Sequence, residues 1–368
     1  MNWTHVSYAQ ELRFGSRAIE DAGRALEALG ARRVLLITTS RGRESASGQR
    51  LARSLGGALV AVFDGARPHV PQGVVRSAHE RLRSERIDAI VSFGGGSCSD
   101  LGKAVCYFEE QQGEEPGTSC FDRPAVPHAT VPTTYSGAEL TPFFGMMDET
   151  ARRKSGFGGP TIAPAIVLYD PQVTLDLPPR VSAETGMNAL AHCVEAAWSP
   201  ARTVEAEAIA LAGAAQIYRW LPRVVEHPQD LEARTAMLAG AMLAGRALQN
   251  ASMGVHHGLA QMVGARTGIP HGLANALILA HAAQFNADAV PDAMGRLAAA
   301  FGRRDGDAVR AIDDLRARLG LPAHLSDCGV SAEDVEVIAR LSAANTTLAK
   351  NPKRVREADA RAILAAAL

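Results

Sequence analysis

The chain has 368 residues, 47% of them hydrophobic and 21% charged, with 38 Lys and Arg against 39 Asp and Glu and a formal net charge of -1. That length exceeds the size at which one hydrophobic core usually keeps growing, so two domains are expected. The charges are scattered and balanced, which leaves no basic stripe for a phosphate backbone and excludes nucleic acid as the main partner.

Cys98, Cys106, Cys120, Cys193 and Cys328 are odd in number and form no CxxC pair. This argues against a disulfide framework or a zinc knuckle and for a reducing compartment. The opening MNWTHVSYAQELRFG lacks a basic start followed by an apolar core, and no run of about eighteen apolar residues occurs. Neither export nor a membrane span is expected, and a cytoplasmic enzyme acting on a small molecule is.

Taken in order, the first half alternates as α/β domains do. Arg17 to Leu29 has helical spacing, Gly30 ends it, and Arg33 to Thr38 reads as a buried parallel strand. Gln49 to Leu55 is a helix, Ala58 to Phe63 a strand, Gln72 to Glu85 a helix, and Ala89 to Phe93 a strand that runs into Gly94, Gly95, Gly96 and Ser97. Pro127 to Pro132 leads into Thr133-Thr134-Tyr135-Ser136-Gly137, and Ala165 to Tyr169 is the last clear strand. From Ala183 the chain is Ala- and Leu-rich with helical periodicity. The expected division is an α/β domain over residues 1–165 and an all-helical domain over residues 166–368.

Glycines at a strand end let backbone approach a ligand, and a helix starting there, read as running from Asp100 with Lys103 on its first turn, offers N-H groups to an anion such as a dinucleotide pyrophosphate. GGGS is neither the GxGxxG nor the Walker pattern, and a purely structural turn remains an alternative. The second candidate stretch is Gly254 to Asn275. His257 and His271 lie there in two helical patterns separated by a Gly-Ile-Pro break, and Gln261 is one turn after His257. His192, with Asn188 four residues before it, is a third ring in an apolar helix. Each histidine alone could be a satisfied packing residue. Three in Gly-punctuated helices point to a shared site.

GGGSCSDLGKAV, PTTYSGAELTP, LYDP, GMNALAHxxE and HxxxQ with PHGLAN, in that order, resemble the iron-containing alcohol dehydrogenase superfamily. The likeness is closer to the maleylacetate reductases, through the PTTY turn and the His69-Val70-Pro71 segment. The resemblance implies a dehydroquinate synthase-like fold: an N-terminal α/β dinucleotide-binding domain, an all-α C-terminal domain and a cleft between them. It further implies hydride transfer with NAD(H) or NADP(H), and a homodimer. Carried over, Gly94, Gly95, Gly96 and Ser97 would hold the pyrophosphate, and Asp100, Thr133, Thr134 and Ser136 would line the nicotinamide side. Lys154 would face the cofactor. Thr38 and Thr39 would stand near the ribose, Thr39 where NAD-selective members carry Asp, with Arg41 and Arg43 beside it.

His192, His257 and His271 match three metal ligands of that family. Asn188 stands where the fourth, an Asp, is expected, and Gln261 where a His is often found near the reacting carbon. A neutral amide lends an ion no charge, so iron or zinc should bind weakly or be absent, with the histidines then acting as hydrogen-bond donors. Arg246 and His69 are candidates for facing substrate carboxylates. Three activities follow: reduction of an unsaturated or oxo acid, reduction of a plain aldehyde or ketone, and a dehydroquinate-synthase-like lyase reaction.

Overall fold

The computed structural model describes residues 3–113, 116–150 and 153–368, the side chains of Arg153 and Lys154 excepted. Two compact units emerge, one of Val6–Asp176 and one of Leu177–Leu368 together with residues 3–5.

The first unit contains β1 (Glu11–Phe14), α1 (Ala22–Ala28), β2 (Val34–Ile37), α2 (Ser40–Glu44), α3 (Ala46–Leu55), β3 (Leu59–Phe63), α4 (Gln72–Ser84), β4 (Ala89–Gly94), α5 (Gly96–Gln111), β5 (His128–Pro132), β6 (Phe143–Asp148), β7 (Arg153–Gly158) and β8 (Ile166–Tyr169). Six strands form one parallel sheet in the order β1-β8-β5-β4-β2-β3. Parallel strands need crossover helices, which cover both faces, so the central strands are buried along nearly their whole length, β2 and β8 as apolar runs and β4 and β5 with Ser92, His128 and Thr130 among apolar residues. Successive side chains of β2 alternate faces. Leu35 and Ile37 join Ile90, Leu101 and Val105 in one core layer, and Val34 and Leu36 join Leu26, Leu51 and Val131 in the other. β6 and β7 pair separately as an antiparallel ribbon. On β5 the buried His128 ring meets the Ser92 hydroxyl at 2.8 Å.

The expected boundary after residue 165 is corrected. Ile166–Tyr169 pairs with both β1 and β5, so cutting there would remove a central strand, and the division falls after Asp176.

The second unit is helical: α6 (Pro179–Trp198), α7 (Val204–Glu226), α8 (Leu231–Gln249), α9 (Val255–Thr267), α10 (His271–Asn286), α11 (Pro291–Ala300), α12 (Ala308–Arg318), α13 (Ala332–Ser342) and α14 (Glu357–Ala367). α6 is buried almost all round from Ser182 to Trp198, the pattern of a helix at the centre of a bundle. Pro179 opens it, since a proline at the first turn loses no helical hydrogen bond. Asn286 and Asn351 exchange amide hydrogen bonds at 3.0 and 2.8 Å, and the Asn351 Oδ1 also accepts from the Val255 N-H at 3.2 Å, which fixes where α9 begins. Among the described residues, no helix is long and apolar enough to cross a membrane.

Candidate active site

Asn188, His192 and Glu195 lie along one face of α6, at spacings of four and three residues. All three are buried, so each polar group must find a partner or carry a desolvation cost. Glu195 does so by capping a different helix. α9 starts at Val255 behind Gly254, which offers no side-chain cap, and its first N-H groups turn to the carboxylate. Gly254 and His256 donate to Oε1 at 3.0 and 3.1 Å, and His257 donates to Oε2 at 3.1 Å. The His257 ring adds its Nδ1, 2.6 Å from Oε2. His256, alongside, places Nε2 2.9 Å from the Asn275 carbonyl oxygen and Nδ1 3.2 Å from the Nδ1 of His257.

α10 starts at His271 itself, after the Gly268-Ile269-Pro270 break. Gly272 is required there: a Cβ would stand 2.7 Å from the Glu184 carbonyl oxygen of α6, so the two helices pass at backbone contact. One turn on, the Asn275 amide donates to the Asn188 Oδ1 and to the His271 carbonyl, both at 2.9 Å.

The three rings expected to converge do so. His192 and His257 stack with centroids 4.6 Å apart, and His257 and His271 lie 6.2 Å apart, tilted. Burial, together with the neighbouring imidazoles, holds His192 well below its ordinary acidity constant. Burial also lowers His257, against the opposing pull of Glu195. Burial pushes the Glu195 carboxyl upward, but the hydrogen bonds from His256 and His257 outweigh it and keep the group ionised. At neutral pH His192 and His257 are therefore neutral imidazoles beside the Glu195 carboxylate. His192 Nδ1, His257 Nε2 and Asn275 Oδ1 are buried without a hydrogen-bond partner among the described residues. Such orphaned atoms mark a place for a further ligand.

Two residues of this network, Glu195 and His256, carried no role in the sequence reading, although Glu195 stood inside the quoted motif. Gln261 follows His257 on α9 but is exposed, and Asn188 reaches the cluster through Asn275. Glu195, His256 and His257 also place ligand-type atoms within 4.8 Å of one another. Those atoms are already occupied by the N-H groups and the carbonyl just described, so among the described residues the ring nitrogens left open to a ligand are His192 Nδ1 and His257 Nε2.

In the α/β unit the glycine turn follows β4. α5 begins at Gly96, so Asp100 and Lys103 fall in its second turn and not its first, because the helix starts four residues before Asp100. Gly94 has φ 150°, and a Cβ on Gly95 would meet Thr134 at 3.0 Å. A Cβ on Gly96 would meet Ser136 at 3.1 Å. The Thr133 N-H donates to the Gly94 carbonyl at 2.9 Å, so the two turns are pinned together. Ser97 is half-buried, and the Thr134 Oγ1 is buried without a partner among the described residues. This cradle of glycines and hydroxyls at a helix start fits an anionic group.

Lys103, fully buried, holds the second turn. Its ammonium donates to the Ala138 carbonyl at 2.8 Å, the Thr141 hydroxyl at 2.9 Å and the Phe143 carbonyl, and pairs with Asp100 at 2.8 Å. The carboxylate of Asp100, expected near the nicotinamide, is thus engaged by Lys103. The Ser136 hydroxyl donates weakly to Glu139, at 3.5 Å. Thr38 is buried with a hydroxyl that has no partner among the described residues, whereas Thr39 is exposed and caps α2 through the Gly42 N-H at 3.0 Å. Arg43 pairs with Asp64 at 2.9 Å. Lys154 lies on β7, but its side chain is outside the described residues. His69 and Val70 both have positive φ, 63° and 51°, uncommon for residues with side chains. Arg246 lies half-buried on α8 in the other unit.

Residues 9–171 match the family model for iron-containing alcohol dehydrogenases, and residues 182–368 match the model for the C-terminal part of that family. The chain belongs to the iron-containing alcohol dehydrogenase family and is an oxidoreductase. Within the family it resembles the maleylacetate reductases. It is 34% identical over 351 residues to the maleylacetate reductase of Rhizobium sp. (strain MTP-10005), covering 95% of this chain and 93% of that one. The crystal structure of a maleylacetate reductase from the same strain matches with a TM-score of 0.88 at 33% identity over 100% of this chain and 98% of the other. Sulfoacetaldehyde reductase from Bifidobacterium kashiwanohense, solved in complex with NAD+, matches with a TM-score of 0.89 at 26% identity, covering 100% and 99% of the two chains.

Proposed function

We propose that this protein reduces an unsaturated or oxo acid, such as maleylacetate, with hydride from NADH or NADPH. The observation that carries the reading is that His192 and His271 each bring a ring to His257, with His192 Nδ1 and His257 Nε2 buried and without a partner among the described residues, in a chain that resembles maleylacetate reductases over most of its length. Hydride transfer needs a group to take up the negative charge that develops on oxygen. His192 and His257, held neutral, carry no positive charge of their own to oppose it. His192, His257 and His271 would hold a divalent ion, which when bound would act as a Lewis acid. Asn188 adds no charge and its Oδ1 is engaged by Asn275, so we propose weak or absent iron or zinc. Gly94, Gly95, Gly96 and Ser97, with Thr133, Thr134 and Ser136, would bind the pyrophosphate and the nicotinamide end of the cofactor. Arg246 and His69 remain candidates for the substrate carboxylates.

The NAD+ complex of the sulfoacetaldehyde reductase supports a nicotinamide cofactor and keeps an aldehyde substrate as the second reading. The test is the loss of absorbance of reduced cofactor with maleylacetate, other oxo acids and aldehydes in parallel. Turnover confined to the acids supports the proposal, turnover confined to aldehydes favours the second reading, and conversion without consumption of cofactor would point to a lyase. Thr39, Arg41 and Arg43 put hydroxyl and cationic groups where an Asp would repel a 2′-phosphate. NADPH should bind at least as well as NADH in a fluorescence titration, although the Arg43 pairing with Asp64 leaves Arg41 to make the contact. A homodimer in the cytoplasm is part of the same proposal, and sedimentation checks the first.

A further inference from the structure

We propose that Glu195 is a positioning residue that locks His257 in the tautomer protonated at Nδ1, so that the buried Nε2 presents a lone pair and the ring serves as an acceptor or ligand, never as the donor to a substrate oxygen. Four donors converge on the two oxygens of Glu195: the N-H groups of Gly254, His256 and His257 and the His257 Nδ1. Backbone N-H groups only donate, so the carboxylate acts as acceptor, and at 2.6 Å it fixes the ring proton on Nδ1.

His256 lies alongside, with its Nε2 facing the Asn275 carbonyl at 2.9 Å, which only accepts, so Nε2 carries a proton, and with its Nδ1 3.2 Å from the Nδ1 of His257. With the His257 proton on Nδ1, the other nitrogen of that neutral imidazole has no proton to give. Nε2 of His257 is buried without a partner among the described residues, and a carboxylate behind an imidazole is how proteins orient a ligand ring. For His257 this narrows the metal-free alternative: a hydrogen bond to a substrate oxygen must come from another group.

The inference rests on the proposed function for placing the cluster at the reacting end, but the tautomer is measurable with no reaction at all. The experiment is a two-bond proton–nitrogen correlation spectrum of ¹⁵N-histidine-labelled protein without added metal or cofactor, with the His257 signals assigned by their loss in His257→Asn. The expected wild-type pattern is a protonated Nδ1 and an unprotonated Nε2. In Glu195→Gln the amide oxygen should turn to the Gly254 and His256 N-H groups, because the opposite orientation sets its NH₂ against two donors. The NH₂ then faces the His257 Nδ1, and the ring proton should move to Nε2. If the proposed reductase activity is found, kcat in this variant should fall about tenfold or more while KM for reduced cofactor stays near the wild-type value.

A wild-type ring protonated on Nε2, or a Gln variant with an unchanged ring spectrum, overturns the inference. If the Gln variant does not fold, the wild-type spectrum decides alone. The expected tautomer in a protein that consumes no reduced cofactor would sink the proposed function and leave this inference standing.

Discussion

In the proposed reading, the neutral amide at position 188 sets how tightly the three rings would hold a cation. Its Oδ1 already accepts from Asn275, and three imidazoles bring no charge to offset the dehydration of an ion. Protein purified without added metal should therefore carry iron or zinc well below one per chain, and Asn188→Asp should raise the content toward one. Near-stoichiometric metal in the unaltered protein by elemental analysis would defeat this expectation. Gly95→Val tests the other cradle: its Cβ would meet Thr134 at 3.0 Å, so fluorescence titration should lose reduced-cofactor binding while circular dichroism keeps the helical signal. Unchanged affinity would make the turn merely structural. At this scale the rings were legible because His257 and His271 flank a visible helix break. Glu195 and His256 were not, since their partners are set by helix packing: Glu195 caps residues 59 to 62 positions further along, a relation no local spacing carries.

Elements were legible where the chemistry is local. β2, β4 and β8 are nearly continuous apolar runs, and the Gly and Pro punctuation around them and around β5 marks their ends. β1, with Glu11 and Arg13 on a sheet edge, and β7 lack such runs, and the apolar stretch of β6 is broken by Gly145; tertiary pairing makes these segments strands, which local sequence does not signal. The sequence points to a later start for α5 than Gly96 for a related reason: glycines that look like a turn in sequence become helical once the cradle is packed. Lys103 shows how one residue joins such elements, tying α5 to the turn before β6. Lys103→Met would leave the Ala138 and Phe143 carbonyls and Asp100 without their cation. It should cost about 3 kcal/mol in urea unfolding and weaken cofactor binding, and an unshifted unfolding midpoint would show that the turn holds itself.

Over the whole chain, acid should act before the carboxylates titrate. Burial, with the nearby charge of Lys103, lowers His128 from 6.5 to about 3. The unfolded chain therefore takes up a proton between these values that the folded one refuses, and stability present above pH 6.5 is lost as the pH falls toward 3. His128 alone should remove about 2 kcal/mol by pH 5. Thermal unfolding of His128→Leu should show a flatter dependence across that window, and an equal slope in both proteins would exclude His128 as the cause. The backbone contact between Gly272 and Glu184 has a different consequence, for how the protein can be diversified. His192 rides on α6 and His271 on α10, so any side chain at 272 wedges apart the helices that carry two of the three rings. In a randomised library selected for turnover, position 272 should return glycine alone, while the exposed position 261 accepts many residues. New substrate ranges would then be reached through such rim positions, with the ring spacing inherited unchanged.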